Sequence, residues 1–372
     1  MTASRKSHIG LIIAFLVLIG VVAPSQIVWE LRDGEQPEII ELFRQRPTQA
    51  GLRQFAGRLE SDCRLAQVVR PWAQYARFVL FEDAGEKALV GRAGWFFYRP
   101  AVQYLTERYS PPESVFAAIA SFRDDLAKRG IKLLVVLAPN KASVYPEMLA
   151  AGAAGLAEPV NAKTRDVLAR LKESGVEIVD LFETYSQARL VAGNPDYYLA
   201  QDSHWSPEGM RLAAQVVARK LLGSGWVEKG SVKYETNPVT VERYGDVLRM
   251  IRVPQVERLY EPEQMNCTQV IDAASGQPYK DDPNSPVLVL GDSFLRIFER
   301  DEPGSGGFIA HLACNLGFGV TSVVNDGGAS TLVRQQLASR PALLKGKKVV
   351  VWEFVERDIR FGTEGWQVIH LP

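Results

Sequence analysis

The chain has 372 residues, 47% of them hydrophobic and 23% charged, enough to bury one large α/β domain or two smaller ones. Lys plus Arg and Asp plus Glu balance at 43 each, so the composition carries no electrostatic footprint for nucleic acid. Three cysteines, Cys63, Cys267 and Cys314, match no metal-binding spacing and allow at most one internal disulfide.

At the N-terminus, "MTASRKSH" sets Arg5 and Lys6 before "IGLIIAFLVLIGVVAP", a run without a charge. From Ile9 to Trp29, at about 1.5 Å per residue, a helix just spans a hydrocarbon core of about 30 Å. The basic flank then stays in the cytoplasm and the remainder is exported. Residues 1–29 are therefore expected to form a cytoplasmic tail and transmembrane signal anchor. A cleavable signal peptide is the alternative, because Ala23 and Ser25 suit a signal peptidase.

Residues 30–85, including "GLRQFAGRLESDCRLAQVVRPWAQYARFVLF", combine helix formers with apolar spacing and predict a helical stalk or cap. "VGRAGWFFYRP" then reads as a turn and a short strand, and "SPPESVFAAIASFRDDLAKRG" as a helix. From residue 131 five short apolar runs follow: "IKLLVVLAP", "GVEIVDL", "SPVLVLGDS", "GVTSVVND" and "KKVVVWEF". They predict buried parallel strands, and the helical patterns between them, such as "SPEGMRLAAQVVARKLLG", predict an open, doubly wound α/β sheet over residues 86–372. Ligands gather at the carboxyl ends of such strands, where "APNK", "GDSF" and "VERD" emerge. Residues 223–286 break the pattern and are expected to form an insertion of loops and short strands.

Two stretches carry chemistry. In "VLVLGDSFLRIF" a strand meets Gly291, then Asp292 and Ser293, then a helical turn. That is an elbow in which Ser293 is either a nucleophile beside backbone N–H groups or simply a helix cap. "DSHWSPEG" supplies a base and an orienting carboxylate, His204 and Asp202, ahead of a helix with Ser206 as cap and Pro207 in its first turn. The bland alternative has Asp202 capping that helix and His204 packed on Trp205. A metal would need further ligands, and only His311 and His370 remain outside the N-terminal segment, so neither metal nor cofactor is expected.

Taken in order over roughly residues 85–360, "VGRAGWFFY", "VVLAPNKASVYPE", "DSHWSPEG" and "VLGDSF" resemble the SGNH hydrolase-like O-acetyltransferases of bacterial exopolysaccharides, the alginate acetylation (AlgJ/AlgX) type. The resemblance implies an SGNH, flavodoxin-like sheet with a permuted triad that runs Asp202, His204, Ser293 along the chain. It implies an acetyl-enzyme on Ser293, an exported polysaccharide acceptor, a membrane-bound O-acyltransferase supplying acetyl groups, and an inner-membrane protein with its catalytic domain in the periplasm. The backbone N–H of Ser293 is an expected oxyanion donor, with Asn140 or Lys141 adding a side chain. Arg357, in "VVVWEFVERDIR", is expected to reach the crevice or to be a solvated helix-start residue. Trp95, Tyr145 and Trp205 are candidates for stacking on sugar rings or for the core. Some members carry a C-terminal carbohydrate-binding module; here the chain ends soon after the last strand, which favours the anchored plan. A carbohydrate acetylesterase and a non-catalytic scaffold are the other readings.

Overall fold

The structure, a computed structural model, describes residues 24–37, 63–156 and 159–372, with scattered positions before residue 56. Most of the expected anchor lies outside the described residues, and among these no helix is long and apolar enough to cross a membrane. The chain divides into two compact units, Met1–Asp83 and Ala84–Pro372.

In the first unit, helix α1 (Arg64–Phe81) carries three arginines and no acidic residue. It stops where Glu82 turns into the left-handed region at φ 52° and returns its N–H to the carbonyls of Arg77 and Phe78.

The second unit opens with a hairpin of β1 (Ala88–Val90) and β2 (Phe96–Tyr98), then α2 (Arg99–Thr106) and α3 (Glu113–Ala127). Next come β3 (Lys132–Ala138), α4 (Ala162–Glu173), β4 (Glu177–Asp180), α5 (Leu181–Ala188) and α6 (Pro207–Gly223). A hairpin of β5 (Tyr234–Arg243) and β6 (Glu263–Asp272) precedes β7 (Val287–Gly291), α7 (Phe308–Leu316), β8 (Thr321–Val324), α8 (Leu332–Ala338) and β9 (Val349–Val355).

All five apolar runs from residue 131 are strands of one parallel sheet, ordered β4-β3-β9-β7-β8. Its middle strands are apolar on both faces because helices cover both. Leu134, Val136, Val289 and Val351 pack with α5, α6 and α7, whereas Leu133, Val135, Leu290 and Trp352 pack with α3, α4 and α8. Counted from the first core strand the order is 2-1-5-3-4. Counted from β7, and wrapped through the chain ends to β3 and β4, it becomes the flavodoxin order 2-1-3-4-5. The sheet is thus a flavodoxin-type sheet cut at a different point, and the switch point of that order falls between β7 and β9.

The insertion departs from expectation, because β5 and β6 are ten-residue strands paired from Tyr234↔Asp272 to Arg243↔Glu263. β5 is largely solvated, which hides the alternation that marks a strand, and it accommodates Pro238 because a two-stranded ribbon leaves one edge free. Met265, Cys267 and Val270 of β6 anchor the ribbon in the cluster that includes α6 and α7.

Candidate active site

The serine sits on a turn shaped by its neighbours. At Gly291, a Cβ would lie 2.5 Å from Oε2 of Glu353, the buried carboxyl that β9 projects under the turn. Asp292 N–H donates to that oxygen at 3.3 Å. Burial, then the nearby Asp292 carboxylate, pushes the Glu353 carboxyl well above its ordinary range. The cap of the turn is Asp292, whose Oδ1 accepts the Phe294 N–H at 2.9 Å. Ser293 is thereby released from capping, and its Oγ lies 2.8 Å from Nε2 of His204. As the first residue of the turn Ser293–Arg296, it has an N–H with no intrahelical acceptor.

The histidine loop is closed by an antiparallel bridge between Tyr198 and Trp205. Ser206 caps α6, with its Oγ accepting the Gly209 N–H at 3.1 Å, so Asp202 is free of that task. Asp202 Oδ1 lies 2.6 Å from His204 Nδ1 and also accepts the His204 backbone N–H at 3.0 Å. Burial disfavours the Asp202 charge, but the charge and hydrogen bond of His204 outweigh it and hold the carboxyl well below its usual range. An ionised carboxylate can only accept, so Nδ1 carries the proton and Nε2 of the neutral ring accepts from Ser293. Burial also works against the imidazolium; the Asp202 charge and hydrogen bond reverse this and raise His204 above its ordinary value, with Arg357 opposing.

Support for this loop comes from far away in sequence. Lys141 Nζ donates to the carbonyls of Phe96 (2.6 Å), Ala200 (2.7 Å) and Asp202 (3.1 Å). Glu263 of β6 accepts the N–H groups of Ala200 (2.6 Å) and Gln201 (3.0 Å). The Phe96 N–H of the entry hairpin reaches the Ala200 carbonyl at 2.8 Å.

The other expected site residues divide. Lys141 is corrected from oxyanion donor to loop anchor, since its three N–H bonds are all taken up by carbonyls. Asn140 is corrected too: its amide nitrogen faces the Ala101 carbonyl at 3.5 Å and its backbone N–H the Glu356 carboxylate at 2.7 Å. Trp205 is fully buried between Phe294 and Phe308, and Tyr145 is buried against Trp95 with its hydroxyl accepting the Tyr197 N–H, so both belong to the core rather than to a sugar platform. Trp95 is buried as well. Arg357 does not line the cleft; its guanidinium lies 5.2 Å from the Tyr98 ring and 5.9 Å from the ring of Phe294, beside Ser293, and its charge acts on His204.

A cleft of about 570 Å³ opens beside the pair, lined by His204, Asp246, Arg243, Arg249, Arg252 and Arg296 among others. Arg243 lies 3.9 Å from both Asp202 and Asp301, and Arg296 pairs with Asp301 and, at 2.8 Å, with Asp326. Arg249 and Arg252 are exposed and, among the described residues, form no ion pair or side-chain hydrogen bond. Asp202, His204 and Asp246 bring three ligand-type atoms within 4.8 Å of one another; Asp202 bonds the His204 ring and Asp246 accepts from Ser203. Sequence reasoning missed Asp246, Glu263 and Glu353. Asp246 opens a short helical turn after Gly245 and looks like any capping residue, while Glu353 is a lone acid inside an apolar strand, which is the signal that marks it.

Residues 88–356 match the family described as the SGNH hydrolase-like domain of the acetyltransferase AlgX. A probable alginate O-acetylase AlgJ of Pseudomonas fluorescens is 24% identical over 296 residues, spanning 77% of this chain and 72% of that protein. The AlgJ of Pseudomonas aeruginosa is 26% identical over 229 residues, spanning 58% of this chain and 54% of its own length. Among solved structures, the O-acetyltransferase domain of Pseudomonas putida AlgJ shares the fold with a TM-score of 0.58 at 23% identity, over 74% of this chain and 92% of that one. Pseudomonas aeruginosa AlgX does so with a TM-score of 0.55 at 20% identity, over 72% and 61%.

Proposed function

The chain belongs to the SGNH hydrolase-like, AlgX-type acetyltransferase family, and we propose that it O-acetylates an exported acidic exopolysaccharide through an acetyl group carried on Ser293. The observation that carries this reading is the continuous hydrogen-bonded path from Asp202 through His204, both of which line the cleft, to Ser293. His204 Nε2 takes the Ser293 proton as Oγ attacks the carbonyl of an acetyl donor. Negative charge then develops on the carbonyl oxygen, where the unengaged Ser293 N–H is a suitable donor. The imidazolium, stabilised by Asp202, returns its proton to the leaving group as the acetyl-enzyme forms. A sugar hydroxyl, deprotonated by the same nitrogen, attacks the acetyl carbon; the tetrahedral adduct collapses and Ser293 recovers its proton.

Arg249 and Arg252 on the cleft, unpaired among the described residues, suit carboxylates on the acceptor, in keeping with relatives named alginate O-acetylases. The charge-free run behind Arg5 and Lys6 supports an inner-membrane anchor with the catalytic unit in the periplasm, where a membrane-bound O-acyltransferase would supply acetyl groups. The test is incubation of the purified full chain, in detergent, with a chromogenic acetyl ester and oligouronates. Acetylated sugar formed by the wild type and lost in Ser293→Ala supports transfer. Acetate released without acetylated sugar points to an esterase, and turnover unchanged by Ser293→Ala overturns the reading.

A further inference from the structure

We infer that Asp246, supplied by the segment joining β5 to β6, is a positioning residue for the His204 base, an inference that rests on the acyl-transfer reading above. The segment is docked flush on the histidine loop. A Cβ at Gly245 would lie 2.2 Å from the Gln201 carbonyl carbon and 2.6 Å from the Asp202 nitrogen, so the two backbones touch and only glycine fits. Leu248 N–H donates to the Gln201 carbonyl at 3.3 Å, and Gln201 Oε1 accepts the Gly245 N–H at 3.5 Å.

Through this docking Asp246 holds the triad in three ways. Its backbone N–H donates to Asp202 Oδ2 at 3.0 Å, which fixes the carboxylate plane and leaves Oδ1 aimed at the imidazole. Its own carboxylate accepts the Ser203 N–H at 2.6 Å and the Ser203 hydroxyl at 2.7 Å, pinning the residue between Asp202 and His204. Its Oδ2 also stands 3.6 Å from His204 Nδ1, a second negative charge on the side of the ring away from Ser293. Two carboxylates therefore favour the imidazolium that forms at each transfer step.

The charged groups around Asp246 bear on its own state. Asp202 repels it across the loop, His204 attracts it, Lys141 lies beneath the loop, Arg243 closes the end of β5, and Arg249 ends its own turn. Burial, then the Asp202 charge, pushes the Asp246 carboxyl up to about 6. Mild acid would neutralise it, and the base would weaken just as it also begins to protonate.

The experiment follows hydrolysis of a chromogenic acetyl ester against pH with the full chain. Asp246→Asn keeps an acceptor for Ser203 but removes the charge. It is expected to lower kcat roughly tenfold with KM within about twofold, and to move the acid limb to lower pH because His204 loses a charge that raised it. Asp246→Glu, which keeps the charge, is expected to retain the wild-type acid limb. If Asp246→Asn does not fold, Gly245→Ala, which must push the turn off the loop, is expected to show the same fall in kcat and the same shift. An acid limb at the wild-type pH in Asp246→Asn, or in Gly245→Ala where that variant stands in, overturns the inference. A wild-type enzyme whose hydrolysis survives Ser293→Ala instead overturns the catalytic reading beneath it.

Discussion

The two loops that meet at the site are built on opposite plans. The serine elbow, Gly291 to Phe294, is supported locally: a strand end, a cap from the preceding residue and one carboxyl from the neighbouring strand define it. The histidine loop, Ala200 to Trp205, has little structure of its own beyond the Tyr198–Trp205 bridge and leans on Lys141, Glu263, Asp246 and the Phe96 strand. A nucleophile can be aimed by the sheet that carries it. A base that must swing proton transfer in two directions is held by a cage of buried polar bonds, each costly to leave unmade.

Substitutions in the two loops test this contrast. The largest effect is expected from Ser293→Ala, which should leave on the order of a thousandth or less of the transfer rate while preserving the fold, read by ester turnover and thermal melting. Lys141→Met should come next. Two loop carbonyls, of Ala200 and Asp202, and that of Phe96 in β2 lose their donor, so kcat should fall roughly a hundredfold, a loss on the scale of a misplaced base. Urea unfolding should also show a stability loss of about 1–3 kcal/mol, the cost of leaving buried acceptors unpaired.

Gly291→Ala probes the elbow from below. The new methyl would meet the Glu353 carboxyl and the Leu295 side chain at 2.5 Å. A loss of about 1–3 kcal/mol is expected from overpacking, visible as a lowered Tm. Its activity should fall less than that of Lys141→Met, because the elbow keeps its cap and its strand.

The smallest effect is a shift in pH dependence. The proposed mechanism needs a neutral His204, whose value is raised in the fold, so the wild-type rate should climb with pH through a midpoint above about 6.5, the ordinary imidazole value. Arg357 opposes that rise, so Arg357→Gln should move the acid limb to still higher pH. A move in the opposite direction, measured by ester hydrolysis against pH, would show that the Arg357 charge does not reach the base.

The same contrast explains what could be read from the sequence. The runs of β3, β7 and β9 announced the strands because parallel strands buried on both faces leave no polar alternation. The elbow was legible because strand, glycine and helical turn are contiguous, and "DSH" because carboxylate and imidazole are two residues apart. Lys141 was noticed beside Asn140, but nothing local shows that its ammonium would close on Phe96, Ala200 and Asp202 from across the fold. Asp246 and Glu263 are charges in a segment full of charges, and only the docking of Gly245 on Gln201 reveals the first. Trp205 and Tyr145 looked available for sugar because aromatic side chains suit both a cleft and a core; burial decides for the core.

The central claim is that Ser293 carries the acetyl group. Brief mixing of the full-length protein with an activated acetyl ester, acid quenching and peptide mass spectrometry should find one acetyl on the peptide containing Ser293 in the wild type. The same peptide should be unmodified in Ser293→Ala, and the adduct should disappear from the wild type when an oligouronate acceptor is added. An acetyl group that settles on another residue, or an acceptor that becomes acetylated while Ser293 never does, would contradict the account.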